Sequence, residues 1–290
     1  MLFDFEIKNF NYRLFLYVLL LNAAGVLMVG SATNQDASYV NKQIMGIVVG
    51  AVVIMILTFF NYRKIISFAP VIYGISLAGL LAVLVSGVTR GGATRWLVLP
   101  GIGQVQPSEF AKIGLIVFFA WFLDRNQERI NRLPVLASAV GLYLIAFVMI
   151  YEQPNLSTSL VTLVIFAALV FAAGISYRWI AGVLAVAVPF GALFVYLLQY
   201  DLVPFLRGYQ AGRILAFFNP GEYVEQNLQQ QNSIMAIGSG MLSGKGLNNN
   251  TLASVKNGNF LSEQQTDFIF AVIGEELGFI GCTLVIVMLA

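Results

Sequence analysis

The sequence predicts an all-α, polytopic helical membrane protein, and three observations carry that expectation. Hydrophobic residues make up 59% of the 290 and charged residues only 10%, against roughly 25% charged in soluble domains. The apolar residues fall in near-continuous runs, without the alternation that a membrane barrel needs. Many of those runs approach about 20 residues, the length at which a helix crosses a bilayer while satisfying its own backbone. The mean hydropathy of +0.82 agrees.

The whole chain reads as a single integral membrane domain. Expected spans run from Tyr12 to Ser31, Ile44 to Phe60, Ile66 to Val88, Ser108 to Leu123, Leu133 to Tyr151, Thr158 to Gly174 and Trp179 to Tyr200. The fourth is short and carries Glu109 and Lys112 near its start. From Phe268 the apolar pattern resumes, interrupted by Glu275 and Glu276, and runs to Ala290. Either this is one helix with two buried acids, or a partial helix leads into a truncated span. The second reading is preferred, because Leu277 to Ala290 is too short to cross a bilayer. It implies a fragment of a longer chain.

Lys and Arg in the short connections set the orientation. An N-terminus inside places Lys8, Arg13, Arg63, Lys64, Arg125, Arg129, Arg132 and Arg178 on the cytoplasmic side, and only Lys42, Arg90 and Arg95 in the short loops opposite. The first span is then a retained anchor in the cytoplasmic membrane. Three segments face outward: Thr89 to Pro107, Glu152 to Ser157, and the long stretch from Asp201 to Thr266. A connection of that length is usually functional or disordered. Its part from Tyr209 to Phe218 has the character of an interfacial helix.

Composition also excludes chemistry. The chain contains no histidine, which removes a Ser-His-Asp arrangement and the usual zinc sites. The lone Cys282 permits no internal disulfide. Proton transfer near neutral pH therefore falls to carboxylates, Lys, Tyr or water.

The most informative segment is Leu261 to Gly281, where a polar loop meets an apolar run with Asp267 at the seam and Glu263, Glu275 and Glu276 close by. Carboxylates at a membrane entrance are costly, so function is the default hypothesis. The alternative is that Asp267 caps the following helix. In the loop from Arg90 to Lys112, four glycines with Pro100 and Pro107 indicate an ordered, turn-rich connection. Arg90 and Arg95 either anchor the interface or contact an anionic headgroup or pyrophosphate. Gln106-Pro107-Ser108-Glu109 reads as a helix start, and Glu109 and Lys112, three apart, share a face and can pair. Glu152 is either a solvated loop acid or a second acid facing the same outer cavity. Gly238 to Gly246 fails as a nucleotide phosphate loop, since its spacing is one residue short and Gly246 replaces the required Ser or Thr. A flexible turn, or a loop near a lipid pyrophosphate, remains.

Arg95-Trp96, Gln106-Pro107-Ser108-Glu109 with Lys112, Gln153-Pro154, and Thr266-Asp267-Phe-Ile-Phe-Ala-Val-Ile-Gly-Glu-Glu-Leu-Gly-Phe279 together resemble the SEDS family (shape, elongation, division, sporulation). These are the RodA/FtsW peptidoglycan glycosyltransferases, and the rod-shape branch is the one expected here. The resemblance covers essentially the whole chain. It implies about ten spans, so that the last few are missing. It further implies polymerisation of lipid II, an undecaprenyl-pyrophosphate-linked disaccharide pentapeptide, on the outer face of the membrane beside a class B penicillin-binding protein. The family's essential aspartate corresponds to Asp267, expected as general base toward the acceptor hydroxyl. Arg90, Arg95, Arg213 and Lys245 are the expected cations for the pyrophosphate, with Glu152 also at the substrate. Glu109, Lys112, Glu263, Glu275 and Glu276 are expected to shape the cavity. No cofactor is required; a divalent cation is compatible with pyrophosphate and carboxylate oxygens. The family usually has Asp and Gly where this chain has Asn155 and Ser157, and often Pro and His at Ser262 and Gln265. A flippase for the same precursor and a noncatalytic scaffold are the rival expectations. Charges that cluster at the outer side, not along a path through the spans, favour the enzyme.

Overall fold

A chain this apolar satisfies its backbone within helices, and the computed structural model is built from them. It describes residues 11–90, 93–99, 103–153, 155–200, 208–219, 221–249, 251, 254, 257–258 and 260–290, leaving aside the side chains of 90, 93, 99, 208–211, 213, 225 and 226. The chain divides into two compact units, residues 60–196 and residues 1–59 with 197–290.

The unit of residues 60–196 begins with α3 (Tyr62–Ser67) and α4 (Ala69–Ser86), following α1 (Tyr12–Ala32) and α2 (Ala37–Phe59) of the other unit. Three strands come next, β1 (Val88–Arg90), β2 (Ala93–Leu99) and β3 (Gly103–Val105), then α5 (Pro107–Arg125), α6 (Leu133–Tyr151) and α7 (Leu156–Ala172). The helix α8 (Tyr177–Gln199) leads out of the unit. Helix α5 is its packing centre. Ala111, Gly114, Leu115, Phe118, Phe119 and Leu123 are buried, the three- and four-residue recurrence of one helical face. Gly114 lets α4 approach closely, since a Cβ there would overlap the Ser76 hydroxyl. Tyr73 of α4 stacks on Phe118 with ring centroids 4.2 Å apart, and Tyr143 of α6 stacks on Phe166 of α7 at 4.5 Å. The Tyr73 hydroxyl donates to the Leu142 carbonyl at 2.7 Å.

The connection before α5 is ordered, as its glycines and prolines indicate, but it is a three-stranded antiparallel sheet in the order β1-β2-β3. Val88 pairs with Trp96 and Leu97 with Val105. The β-favouring run Thr94-Arg-Trp-Leu-Val98 supplies the central strand. Pro107 occupies the first turn of α5, where a missing N–H costs nothing. Ser108, a candidate cap by sequence, instead lies buried inside that turn, within 3.0 Å of Gln106 Nε2.

Six helices, α1, α2, α4, α6, α8 and the last helix α11 (Ile269–Leu289), are long and apolar enough to cross a membrane. Helix α7, at 17 residues, is apolar but shorter. Helix α2 buries none of its residues, so its whole apolar circumference suits lipid. It begins at Ala37, ahead of the apolar run, because Asp36 Oδ1 accepts from Ser38 N–H at 2.8 Å and starts the helix among polar residues.

The other unit contains α1, α2, α9 (Gly208–Phe218), α10 (Val224–Ser239) and α11. Helices α9 and α10 occupy much of the long stretch before Asp267. The amide side chains of α10 bind backbone: Asn227 Nδ2 donates to the Ala216 carbonyl at 2.9 Å, Asn232 Nδ2 to the Phe260 carbonyl at 2.7 Å, and Gln229 Oε1 accepts from Ser262 N–H at 2.9 Å.

Helix α11 resolves the choice between one helix and a broken one. It is a single element interrupted at Gly278, with φ 65° and ψ −161°, a region that essentially only glycine adopts. In an unbroken helix the amides of Phe279 and Ile280 would bond the carbonyls of Glu275 and Glu276. Instead they donate to the carbonyls of Met241 (2.8 Å) and Leu242 (3.2 Å). The freed carbonyls of Glu275 and Glu276 accept from the amides of Lys245 (2.9 Å) and Gly246 (3.0 Å). The segment 241–246 is thus spliced into the break, and all four backbone groups stay paired. Two glycines of the 238–246 stretch serve this contact: a Cβ on Gly240 would overlap the Gly274 carbonyl, and one on Gly244 the Glu276 carbonyl. Lys245 Nζ then pairs with Glu275 Oε1 at 2.8 Å.

Two outcomes follow for thermal unfolding in detergent. Gly278→Ala, which combines the disfavoured φ with overlap of the 242–244 backbone, lowers stability by about 3 kcal/mol. Lys245→Ala, which leaves the Glu275 carboxylate short of a donor, lowers it by about 1–3 kcal/mol; Lys245→Met with Glu275→Leu recovers most of that loss.

Candidate functional site

Asp267 closes a short run of turns between Leu261 and α11. Glu263 adopts φ 51°, and its carbonyl gathers the amides of Thr266 (3.1 Å) and Asp267 (3.0 Å) and the Thr266 hydroxyl (3.2 Å). Its carboxylate accepts from Gln265 Nε2 at 2.9 Å. Helix α11 begins two residues beyond Asp267, at Ile269, with Phe268 as its N-cap and no side-chain cap hydrogen bond. Asp267 is exposed, and among the described residues its carboxylate has no hydrogen-bond or ion-pair partner. The helix-capping alternative is therefore removed: this carboxylate has no structural task at the helix start and is presented to solvent.

Its acidic neighbours in sequence behave differently. Glu275 and Glu276 are each 1% exposed, and a buried carboxylate demands donors. Glu275 receives Lys245 and, at 3.4 Å, the Ser254 hydroxyl. Glu276 receives the Ser31 hydroxyl, 2.6 Å from both carboxylate oxygens. Both acids hold the loop and α1 against α11. Glu263 fixes the turn through its carbonyl. Of the expected cluster, Asp267 is the acid whose carboxylate has no hydrogen-bond partner among the described residues.

In the other unit, Glu109 and Lys112 form an ion pair of 2.8 Å across the first turn of α5. Arg95 of β2 donates from Nε to the Gln153 carbonyl at 3.3 Å. That bond joins the sheet to the α6–α7 connection beside exposed Glu152. Gln153 is itself buried, and its Nε2 donates to the Leu80 carbonyl at 3.2 Å. Asn155 caps α7, its Oδ1 accepting from Thr158 N–H at 3.3 Å. An Asn in place of the usual Asp therefore retains the capping acceptor. The side chains of Arg90 and Arg213 lie outside the described residues, as does Pro154. Among the described residues no three His, Cys, Asp or Glu side chains form a group that could hold a metal ion.

Sequence reasoning missed Ser31, Ser254 and Gln264, whose side chains all bond across long stretches of chain. Two acids within an apolar run do announce that donors exist. Nothing local says which.

The chain matches the family model described as "Cell cycle protein", FtsW/RodA/SpoVE, over residues 12–290. It is 32% identical to a probable peptidoglycan glycosyltransferase FtsW of Trichlorobacter lovleyi, covering 98% of this chain and 74% of that protein. It is also 32% identical to the peptidoglycan glycosyltransferase MrdB of Escherichia coli K12, covering 94% and 71%. Among solved structures it superposes on a chain of a peptidoglycan synthase complex that coordinates polymerization and crosslinking. There the TM-score is 0.73 and the identity 26%, covering 97% of this chain and 75% of that one. The rod shape determining protein RodA of Thermus thermophilus superposes with a TM-score of 0.61 at 25% identity, covering 97% and 71%. Matched by the family model over residues 12–290, this multi-pass membrane chain belongs to the FtsW/RodA/SpoVE family.

Proposed function

We infer that the chain is a peptidoglycan glycosyltransferase that polymerises lipid II into glycan strands. Family membership supports the reaction class, and one observation carries the site: Asp267 is an exposed carboxylate, at the foot of a membrane helix, that does no structural work. The C4 hydroxyl of the acceptor sugar attacks the anomeric carbon of the lipid-linked donor, and Asp267 takes the hydroxyl proton. The leaving group is a lipid pyrophosphate, which needs positive charge more than a proton. Arg90, Arg95 and Arg213 are assigned to it. Lys245 shares its charge with Glu275, so its contribution to the pyrophosphate is the smaller. A divalent cation added to these groups would supply further charge of the same kind.

The FtsW-named and MrdB-named relatives match at the same 32% identity, so identity does not favour the rod-shape branch over its sibling. A class B penicillin-binding protein is the proposed partner, supported by the likeness to a complex that couples polymerization with crosslinking. The excess of Lys and Arg in one set of short connections supports an N-terminus in the cytoplasm and Asp267 on the outer face.

Lipid II polymerisation by the full-length protein with its class B partner in liposomes is the test. Asp267→Asn lowers the rate by about 10²- to 10⁴-fold at equal folding. Equal product from both proteins removes Asp267 from the mechanism. No product from either, with labelled lipid still crossing the bilayer, replaces polymerisation with transport. For orientation, in a Cys282→Ser background, an impermeant maleimide labels Ser262→Cys in right-side-out spheroplasts and labels Glu128→Cys only after permeabilisation. The reverse pattern inverts the topology.

A further inference from the structure

The backbone exchange at Gly278 uses the carbonyls of Glu275 and Glu276, which any residue would provide. It does not account for a carboxylate at 276, buried to 1% exposure and expensive in apolar surroundings. That carboxylate receives the hydroxyl of Ser31, itself fully buried, at 2.6 Å. The next residue of α1, Ala32, is the last of its helix, and its carbonyl is among those with no intrahelical donor. Gln264 Nε2 donates to that carbonyl at 2.9 Å. The segment from Gln264 to Glu276 is therefore tied at both ends to two consecutive residues of α1, and Asp267 lies between the ties. Within the clamp, Met28 and Ala32 of α1 pack in one buried cluster with Val272 and Ile273. The amide of Asp267 bonds the Glu263 carbonyl at 3.0 Å and that of Ala271 the Phe268 carbonyl at 2.9 Å. These bonds flank Asp267 along the chain, and none touches its carboxylate.

We propose that Ser31, Gln264 and Glu276 are positioning residues for Asp267: through the end of α1 they hold its backbone rigid while its carboxylate stays unencumbered. The proposal rests on the reading of Asp267 as general base. Proton abstraction needs heavy atoms within hydrogen-bond reach, and a displacement of about 1 Å can cost about 10²-fold in rate. A clamp built on a neighbouring helix supplies that fixity where the carboxylate has no partner of its own.

The test uses the full-length protein with its partner in liposomes, lipid II as substrate, and four variants: Gln264→Ala, Ser31→Ala, Asp267→Asn and Asp267→Asn/Gln264→Ala. Gln264→Ala and Ser31→Ala lower kcat by about 10- to 100-fold with KM within about 2-fold, as expected when an interaction acts only on the transition state. The double variant polymerises no more slowly than Asp267→Asn alone, because Gln264 acts only through the aspartate. Amide exchange at Thr266 and Asp267 rises at least about 10-fold in Gln264→Ala, through local opening, while the melting temperature stays unchanged. Gln264 is only partly buried, so this variant carries the test should Ser31→Ala not fold. Native kcat or unchanged exchange in Gln264→Ala, with Asp267→Asn inactive, overturns the clamp and leaves the base in place. Native activity in Asp267→Asn overturns the base and the clamp with it. Additive losses in the double variant reduce Gln264 to a structural role and overturn the proposal.

Discussion

Four backbone hydrogen bonds exchanged between the break in α11 and residues 241–246 organise the unit that carries Asp267. A helix interrupted in apolar surroundings exposes two amides and two carbonyls, and each left unpaired would cost several kcal/mol. The chain satisfies all four by laying another segment into the gap, so that Met241 and Leu242 accept where Glu275 and Glu276 would have, and Lys245 and Gly246 donate in return. The exchange dictates its own sequence requirements. Gly278 must reach a backbone conformation closed to other residues, and Gly240 and Gly244 must admit a neighbouring carbonyl where a Cβ would sit. It also delivers Lys245 to Glu275, turning an isolated buried acid into half of an ion pair.

Around that joint, polar groups sort by burial. Several inside the protein are matched: Glu276 with Ser31, Glu275 with Lys245 and Ser254, Asn232 with the Phe260 carbonyl. The group outside, Asp267, is unmatched. A protein that spends so many side chains satisfying buried polar groups has no stability reason to leave a carboxylate idle at a helix start, where a cap is cheap.

The unit of residues 60–196 solves a different problem, that of seating a helix whose ends are charged. Helix α5 carries Glu109 and Lys112 at one end and Asp124 and Arg125 at the other. It draws its support from packing, with Phe118 and Phe119 inside a cluster of stacked and edge-on rings. Close contact at Gly114 and aromatic area together do what a uniformly apolar helix leaves to lipid. The sheet above it rests on the α6–α7 connection through Arg95 and Gln153, so one of the assigned cations is held by a backbone carbonyl near Glu152.

The class of protein, most helix positions and the seam at Asp267 between a polar loop and a helix were all legible in the amino-acid order. Each depends on short-range quantities: the length of an apolar run, the cost of charge in lipid, the seam between a polar loop and a helix. Whether Asp267 caps the helix was not resolvable there, because an aspartate at that place is compatible with a cap, and only the atom positions show that it does not cap. The strands before α5 were hidden by glycines and prolines that read as turns. Gly240 and Gly244 read as flexibility but serve close contact, a distinction that requires knowing what lies opposite. Sequence thus determined which groups would be expensive to bury and that the chain is built from apolar helices. Tertiary structure decided who satisfies them, because Ser31 and Glu276 stand 245 positions apart, and no local pattern of propensity or hydropathy encodes a partner at that separation.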